Sequence, residues 1–145
     1  KEELIGEALA PSLAATEALL LAAEQSGLGS EQARVAFAHD LVDLLLTHRL
    51  ATHTVITHPY FVDSVPALGA AQKLMGRMAD LVTQYSTGED DRLRFGIVIS
   101  GVTYTLVSAN LLGVQSVPEA ELKTALTEVV TSMVMHAPTH VGAPS

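Results

Sequence analysis

Apolar residues recur every three or four positions along most of the chain, the spacing of amphipathic helices. Strict alternation, the mark of a half-buried strand, is not found. The first helix is expected from about Lys1 to Ser26, with Leu4, Ile5, Ala8, Leu9, Leu13, Thr16, Leu20 and Ala23 on one side. Pro11 falls inside it and predicts a bend, because proline lacks a backbone donor and crowds the preceding turn. Gly27 and Gly29 end that helix, and Ser30 with Glu31 starts the second. The second runs to about Thr47 on a stripe of Val35, Ala38, Leu41, Val42 and Leu45. A short third segment, His48 to Thr57, stops before Pro59, which disfavours helix at His58.

A fourth helix is expected from Ser64 to Tyr85, burying Val65, Leu68, Met75, Met78, Val82 and Tyr85 opposite Lys73, Arg77 and Asp80. After Ser86-Thr87-Gly88, the acidic run Glu89-Asp90-Asp91 suits the positive end of a fifth helix, read to Leu112 before Gly113. Pro118 and Glu119 open a sixth, which ends near His136. Residues 1–136 thus form one all-α, six-helix bundle, and residues 137–145 a loose tail. The fifth helix is apolar nearly all round, from Leu93 and Phe95 to Leu111, so it needs neighbours on every side. A two-fold contact with a second copy is the common solution for a small bundle.

Composition narrows the choices. The 145 residues suit one domain, large enough to fold without a disulfide or metal. Cysteine is absent, which removes thiol catalysis and Cys-based zinc sites. A net charge of −8, with no basic cluster, argues against nucleic-acid contact by these residues themselves. Only 17% of residues are charged, which suggests that part of the surface is covered. The uncharged stretch Phe95–Pro118 is long enough to span a bilayer, but its Ser, Thr, Asn, Gln and Gly residues favour a buried helix and no membrane contact.

Catalytic signatures are missing. Ser100-Gly101 lacks the first glycine of a nucleophile elbow, and Gly27-Leu28-Gly29 lacks the third glycine of a dinucleotide loop. His48, His53 and His58 are five apart and turn about 140° from one another on a helix, so they share no face. His136 and His140 straddle Pro138. A long-range metal pairing of His39 with Asp43 or Asp63 is the weaker alternative to surface or capping histidines, and neither an enzyme, a metal nor a cofactor is expected.

The order of segments, with Lys1-Glu2-Glu3-Leu4-Ile5 at the start and His48-Arg49-Leu50-Ala51 midway, resembles the body of the TetR family of bacterial transcription regulators. The likeness covers about residues 1–136. It implies a cytoplasmic homodimer that closes through its last two helices and binds a small effector inside each body. It also implies an N-terminal helix-turn-helix head that carries operator DNA binding and is absent from these residues. The protein would then be a regulator, most simply a repressor. Effector binding would shift the first helix, with Pro11 either as its bend point or as a static kink.

For the effector pocket the inward stripes supply Leu13, Thr16 and Leu20, then Phe37, Leu41 and Leu44, then Met75, Met78 and Val82, then Ile99, Thr103 and Val107. Phe61 is expected as a lid, and Glu17, Tyr104 and His53 as polar hooks. Few interior charges point to a neutral or weakly polar, hydrophobic ligand. The dimer seam is expected at Val98, Val102, Thr105, Leu112, Leu122, Leu126, Val129 and Met133. Competing readings are a plain helical interaction module without a ligand, a purely intramolecular core for the last two helices, and an all-α enzyme.

Overall fold

Ser30 starts a helix because its hydroxyl accepts a hydrogen bond from the Ala33 N–H at 3.1 Å while its own backbone stays extended. That cap, with proline, glycine and acidic signals elsewhere, divides the chain as the periodicity predicts. The computed structural model describes residues 2–58, 63–108 and 112–135. The elements are α1 (Glu2–Ser26), α2 (Glu31–Thr47), α3 (Arg49–Thr57), α4 (Pro66–Tyr85), α5 (Glu89–Val107) and α6 (Glu119–Met135), with a 3-10 turn at Val114–Ser116. The described residues are all-α, without strands. Phe61, expected as a lid, and residues 137–145, expected as a loose tail, lie outside them, as does His136.

Helix α1 is the single element expected, with Pro11 in its interior. One prediction of local structure changes. Helix α5 ends at Val107, five residues before the expected end, with the Ser108 N–H bonded to the Tyr104 carbonyl. The uncharged stretch 95–118 is therefore not one continuous helix: Gly113 turns the chain at φ 68°, a conformation that favours glycine, and the 3-10 turn follows. Among the described helices α1 alone is long and apolar enough to cross a membrane by length and composition.

Helices α1 and α4 pack together, as do α2 and α6, and α5 lies against α2, α3, α4 and α6. The apolar core falls into two clusters. The larger joins Leu20, Phe37, Leu41, Val42, Leu45, Val82, Phe95, Val98, Val102, Leu122, Leu126 and Val130. The smaller joins Leu9, Val65 and Leu68, with Ile5, Leu13, Ala51 and Val55 packed against it.

Charged residues tie the helices across their seams. Arg77 on α4 donates to both carboxylate oxygens of Glu24 on α1, at 2.9–3.1 Å, and lies 3.7 Å from Glu17. The hydrogen bond to Glu24 raises the Arg77 guanidinium above its ordinary range. Lys123 on α6 meets Asp43 on α2 at 2.6 Å.

One set is buried. Arg34 (8% exposed) donates to both oxygens of Asp91 (4% exposed), at 3.2 and 3.3 Å. Its Nε donates to the Leu28 carbonyl at 3.1 Å, its second amino group donates to the Tyr85 carbonyl, and its face lies 5.5 Å from the centre of the Phe95 ring. Asp91 also accepts from the Thr87 backbone N–H at 3.0 Å and from its hydroxyl at 3.3 Å. Five pieces of chain meet there: the α1–α2 turn, α2, the end of α4, the α4–α5 turn and α5.

Gly27, which ends α1, is a second pinned position. Its φ is +74°, and a Cβ added there would lie 3.0 Å from the Tyr85 hydroxyl. Gly27→Ala is expected to lower stability by about 1–2 kcal/mol, read as the shift of the urea midpoint at constant slope. Pro11→Ala acts in the opposite sense. It returns a backbone donor to α1, and the unfolding free energy is expected to rise by about 1–2 kcal/mol after the greater freedom of the unfolded chain is set against it.

Candidate functional site

Where the two apolar clusters fail to merge, they leave a cavity of about 420 Å³. Leu41, Leu45 and Val82 of the larger cluster form one wall, and Leu13, Ala51 and Val55, packed on the smaller cluster, form another. The volume lies within the ~300–1,000 Å³ of pockets that enclose small molecules. Five helices contribute. Helix α1 gives Ser12, Leu13 and Thr16, and α2 gives Leu41, Leu44 and Leu45. Helix α3 gives Ala51, Thr52, Val55 and Ile56. Helix α4 gives Ala71, Leu74, Met75, Met78, Ala79, Val82 and Thr83, and α5 gives Arg92, Gly96, Ile99, Ser100 and Thr103. The mouth is marked by exposed lining residues: Ile56, Met75, Ala79, Thr83, Arg92, Gly96 and Ser100.

The lining is predominantly apolar, and most of its hydroxyls are already bonded. Ser12 donates to the Leu9 carbonyl at 2.9 Å and Thr16 to the Ser12 carbonyl at 2.7 Å. Thr52 donates to the His48 carbonyl at 3.2 Å and Thr83 to the Ala79 carbonyl at 2.8 Å. Each proton serves its own helix, which leaves only an acceptor lone pair for a guest. Among the described residues no buried side-chain polar atom is unpaired, and no group of three His, Asp or Glu side chains is arranged to hold a metal.

The structure brings Leu13, Thr16, Leu41, Leu44, Met75, Met78, Val82, Ile99 and Thr103 together around this space. Leu20 and Phe37 do not reach it: they are 0% and 5% exposed in the larger core cluster. Glu17 lies on the surface facing Arg77, His53 is exposed, and Tyr104 is 62% exposed, so none of the three lines the cavity. Phe61 and the side chain of Val107 lie outside the described residues. None of the α3 residues that line the cavity was expected, since the only α3 candidate, His53, faces away from it. Ala51 and Val55, four apart, carried the signal of an inward face on that short segment.

Four residues expected at a dimer seam lie inside the single chain instead. Val98, Val102, Leu122 and Leu126 are 5–8% exposed and belong to the monomer's own core, because α5 and α6 turn these positions toward each other and toward α2. Thr105 is half-buried, with its hydroxyl bonded to the Gly101 carbonyl at 2.7 Å. Leu112 and Val129 are exposed, at 54% and 56%, and the Met133 side chain lies outside the described residues. The outward apolar stripe of α5 is instead Leu93, Ile97 and Tyr104, exposed by 63%, 51% and 62%. His39 contacts the Thr131 hydroxyl at 3.1 Å between α2 and α6 and does not pair with Asp43 or Asp63.

No known family model matches the chain, and no curated protein or solved structure gives a significant match.

Proposed function

We propose that residues 2–135 form the sensing body of a TetR-like transcriptional regulator, which holds a small hydrophobic molecule between its helices. The observation that carries this reading is the apolar cavity of about 420 Å³, walled by α1 to α5 at the junction of two core clusters. An interaction module with no ligand has no use for an unfilled interior, since voids lose dispersion contacts and cost stability. Helix α1 supplies part of the wall and begins the segment that the family resemblance links to a DNA-binding head. A ligand that fits one arrangement of α1 better than another would shift the balance between them, and a ligand with equal affinity for both would shift nothing. The outward stripe of Leu93, Ile97 and Tyr104 supports pairing with a second copy, since three large apolar side chains at helical spacing otherwise face water.

The cavity reading is tested by thermal unfolding against a library of hydrophobic small molecules. Binders are expected to raise the melting temperature in a concentration-dependent way. Ala51→Phe and Ile99→Phe each add a ring to the cavity wall from a different helix, and both are expected to abolish the shift while helical content stays unchanged. A library without binders, or shifts that persist in both variants, would remove the proposal and favour the ligand-free module.

A further inference from the structure

The polar groups around the cavity are distributed unevenly. Ser12, Thr16, Thr52 and Thr83, on α1, α3 and α4, have their hydroxyl protons bonded to backbone carbonyls. On α5 the pattern is different. Among the described residues Ser100 and Thr103 make no hydrogen bond through their hydroxyls, and the Arg92 guanidinium makes neither a hydrogen bond nor an ion pair. All three line the cavity, at spacings of eight and three residues that keep them on one side of α5. Gly96 lies between Arg92 and Ser100 on that side, and an added Cβ would meet nothing within 4 Å, so the approach to the guanidinium is open.

Among the described residues Arg92 is also the one charged residue in the cavity lining. The nearby acids do not neutralise it. Asp91 is buried against Arg34 on another face of α5, and Glu89, which shares with Arg92 the shallow groove outside the mouth, is not within ion-pair distance of it.

We propose that the ligand is an amphipathic monoanion, a hydrophobic carboxylate. Its acid group sits at the mouth against Arg92, with donors from α5, and its apolar body lies among Leu13, Leu44, Val55 and Met78. This rests on the sensing-body reading and narrows its ligand class. A guanidinium fits a carboxylate through two parallel N–H donors, whereas an alcohol or a cation gains nothing comparable from it. The neutral ligand expected from the low charge count is thereby replaced by one with a single negative end.

Three probes with straight ten-carbon chains separate the alternatives: decanoate, decanol and decyltrimethylammonium, each titrated below its micelle concentration by calorimetry. Decanoate is expected to bind about fivefold more tightly than decanol, a preference limited by the exposure of Arg92 and reduced by high salt. Decyltrimethylammonium is expected to bind most weakly. Arg92→Gln should bring decanoate and decanol to within about twofold of each other, and Arg92→Glu should reverse the order of the two ions. If decanol matches decanoate in the unaltered protein, the carboxylate assignment fails while the hydrophobic cavity stands. If none of the three binds, both fail.

Discussion

Arg34→Met is expected to lower stability by about 3–5 kcal/mol, a large fraction of the ~5–15 kcal/mol that holds a domain of this kind folded. The cause is what the substitution leaves behind. Asp91, 4% exposed, loses its counter-ion and keeps only the two bonds from Thr87, while the carbonyls of Leu28 and Tyr85 lose their donor. Asp91→Leu has the mirror effect, with the Thr87 N–H left without an acceptor and the buried guanidinium left without its counter-ion. Each variant should melt roughly 10–20 °C lower, read by circular dichroism. The two losses are not additive. The double variant should be milder than their sum by about 1–3 kcal/mol, because no unpaired charge remains in it. It should not return to the parent value, since the two carbonyls and the Thr87 N–H stay without partners. Strict additivity in this cycle would show that the two side chains do not act as a pair.

Ile97→Glu and Tyr104→Glu are expected to convert a dimer into a monomer. In a two-fold contact each substitution enters twice, so two carboxylates face an apolar surface in every complex. Each buried, unpaired charge costs several kcal/mol, and the dimer dissociation constant should rise about 100-fold or more. In sedimentation, the parent protein should run at twice the chain mass at micromolar concentration and either variant at the chain mass. Val98→Ala and Leu126→Ala, at 6% and 8% exposure in the monomer's core, should instead lower thermal stability, by about 1–4 kcal/mol, and leave the subunit count unchanged. A parent protein that is monomeric in the same range would refute the pairing.

The helices were legible because most boundaries are marked by a residue with its own local chemistry. Ser30 offers a cap acceptor and Gly27 tolerates a left-handed turn, whereas α4 begins at Pro66, which needs no backbone donor, two residues after the expected Ser64. The end of α5 was not legible: apolar residues continue past Val107, and nothing in their pattern distinguishes helix from the turn at Ser108. The faces of α5 were hidden for the same reason. A helix apolar all round has no phase, so Val98 and Val102 were as plausible for the outer stripe as Leu93 and Ile97.

Inward stripes located much of the cavity wall, as Leu41, Met78 and Ile99 illustrate, but a stripe cannot tell a packed side chain from one that faces a void. Leu20 and Leu13 lie on the same side of α1. The first is fully buried in the larger cluster, and the second lines the cavity, because different helices stand opposite them. Arg34 carried a signal that went unread. It stands four residues before Ala38 and seven before Leu41, on the inward stripe of α2, and a charge at such a position requires a buried partner. That the partner is Asp91, 57 residues away, is set by tertiary structure alone.

A binding site for a hydrophobic molecule between the helices should take up N-phenyl-1-naphthylamine, a neutral fluorophore that brightens on leaving water. Titration is expected to show saturable binding of one molecule per chain, lost in both Ala51→Phe and Ile99→Phe. Fluorescence that rises without saturating, or that saturates equally in the filled variants, would contradict it.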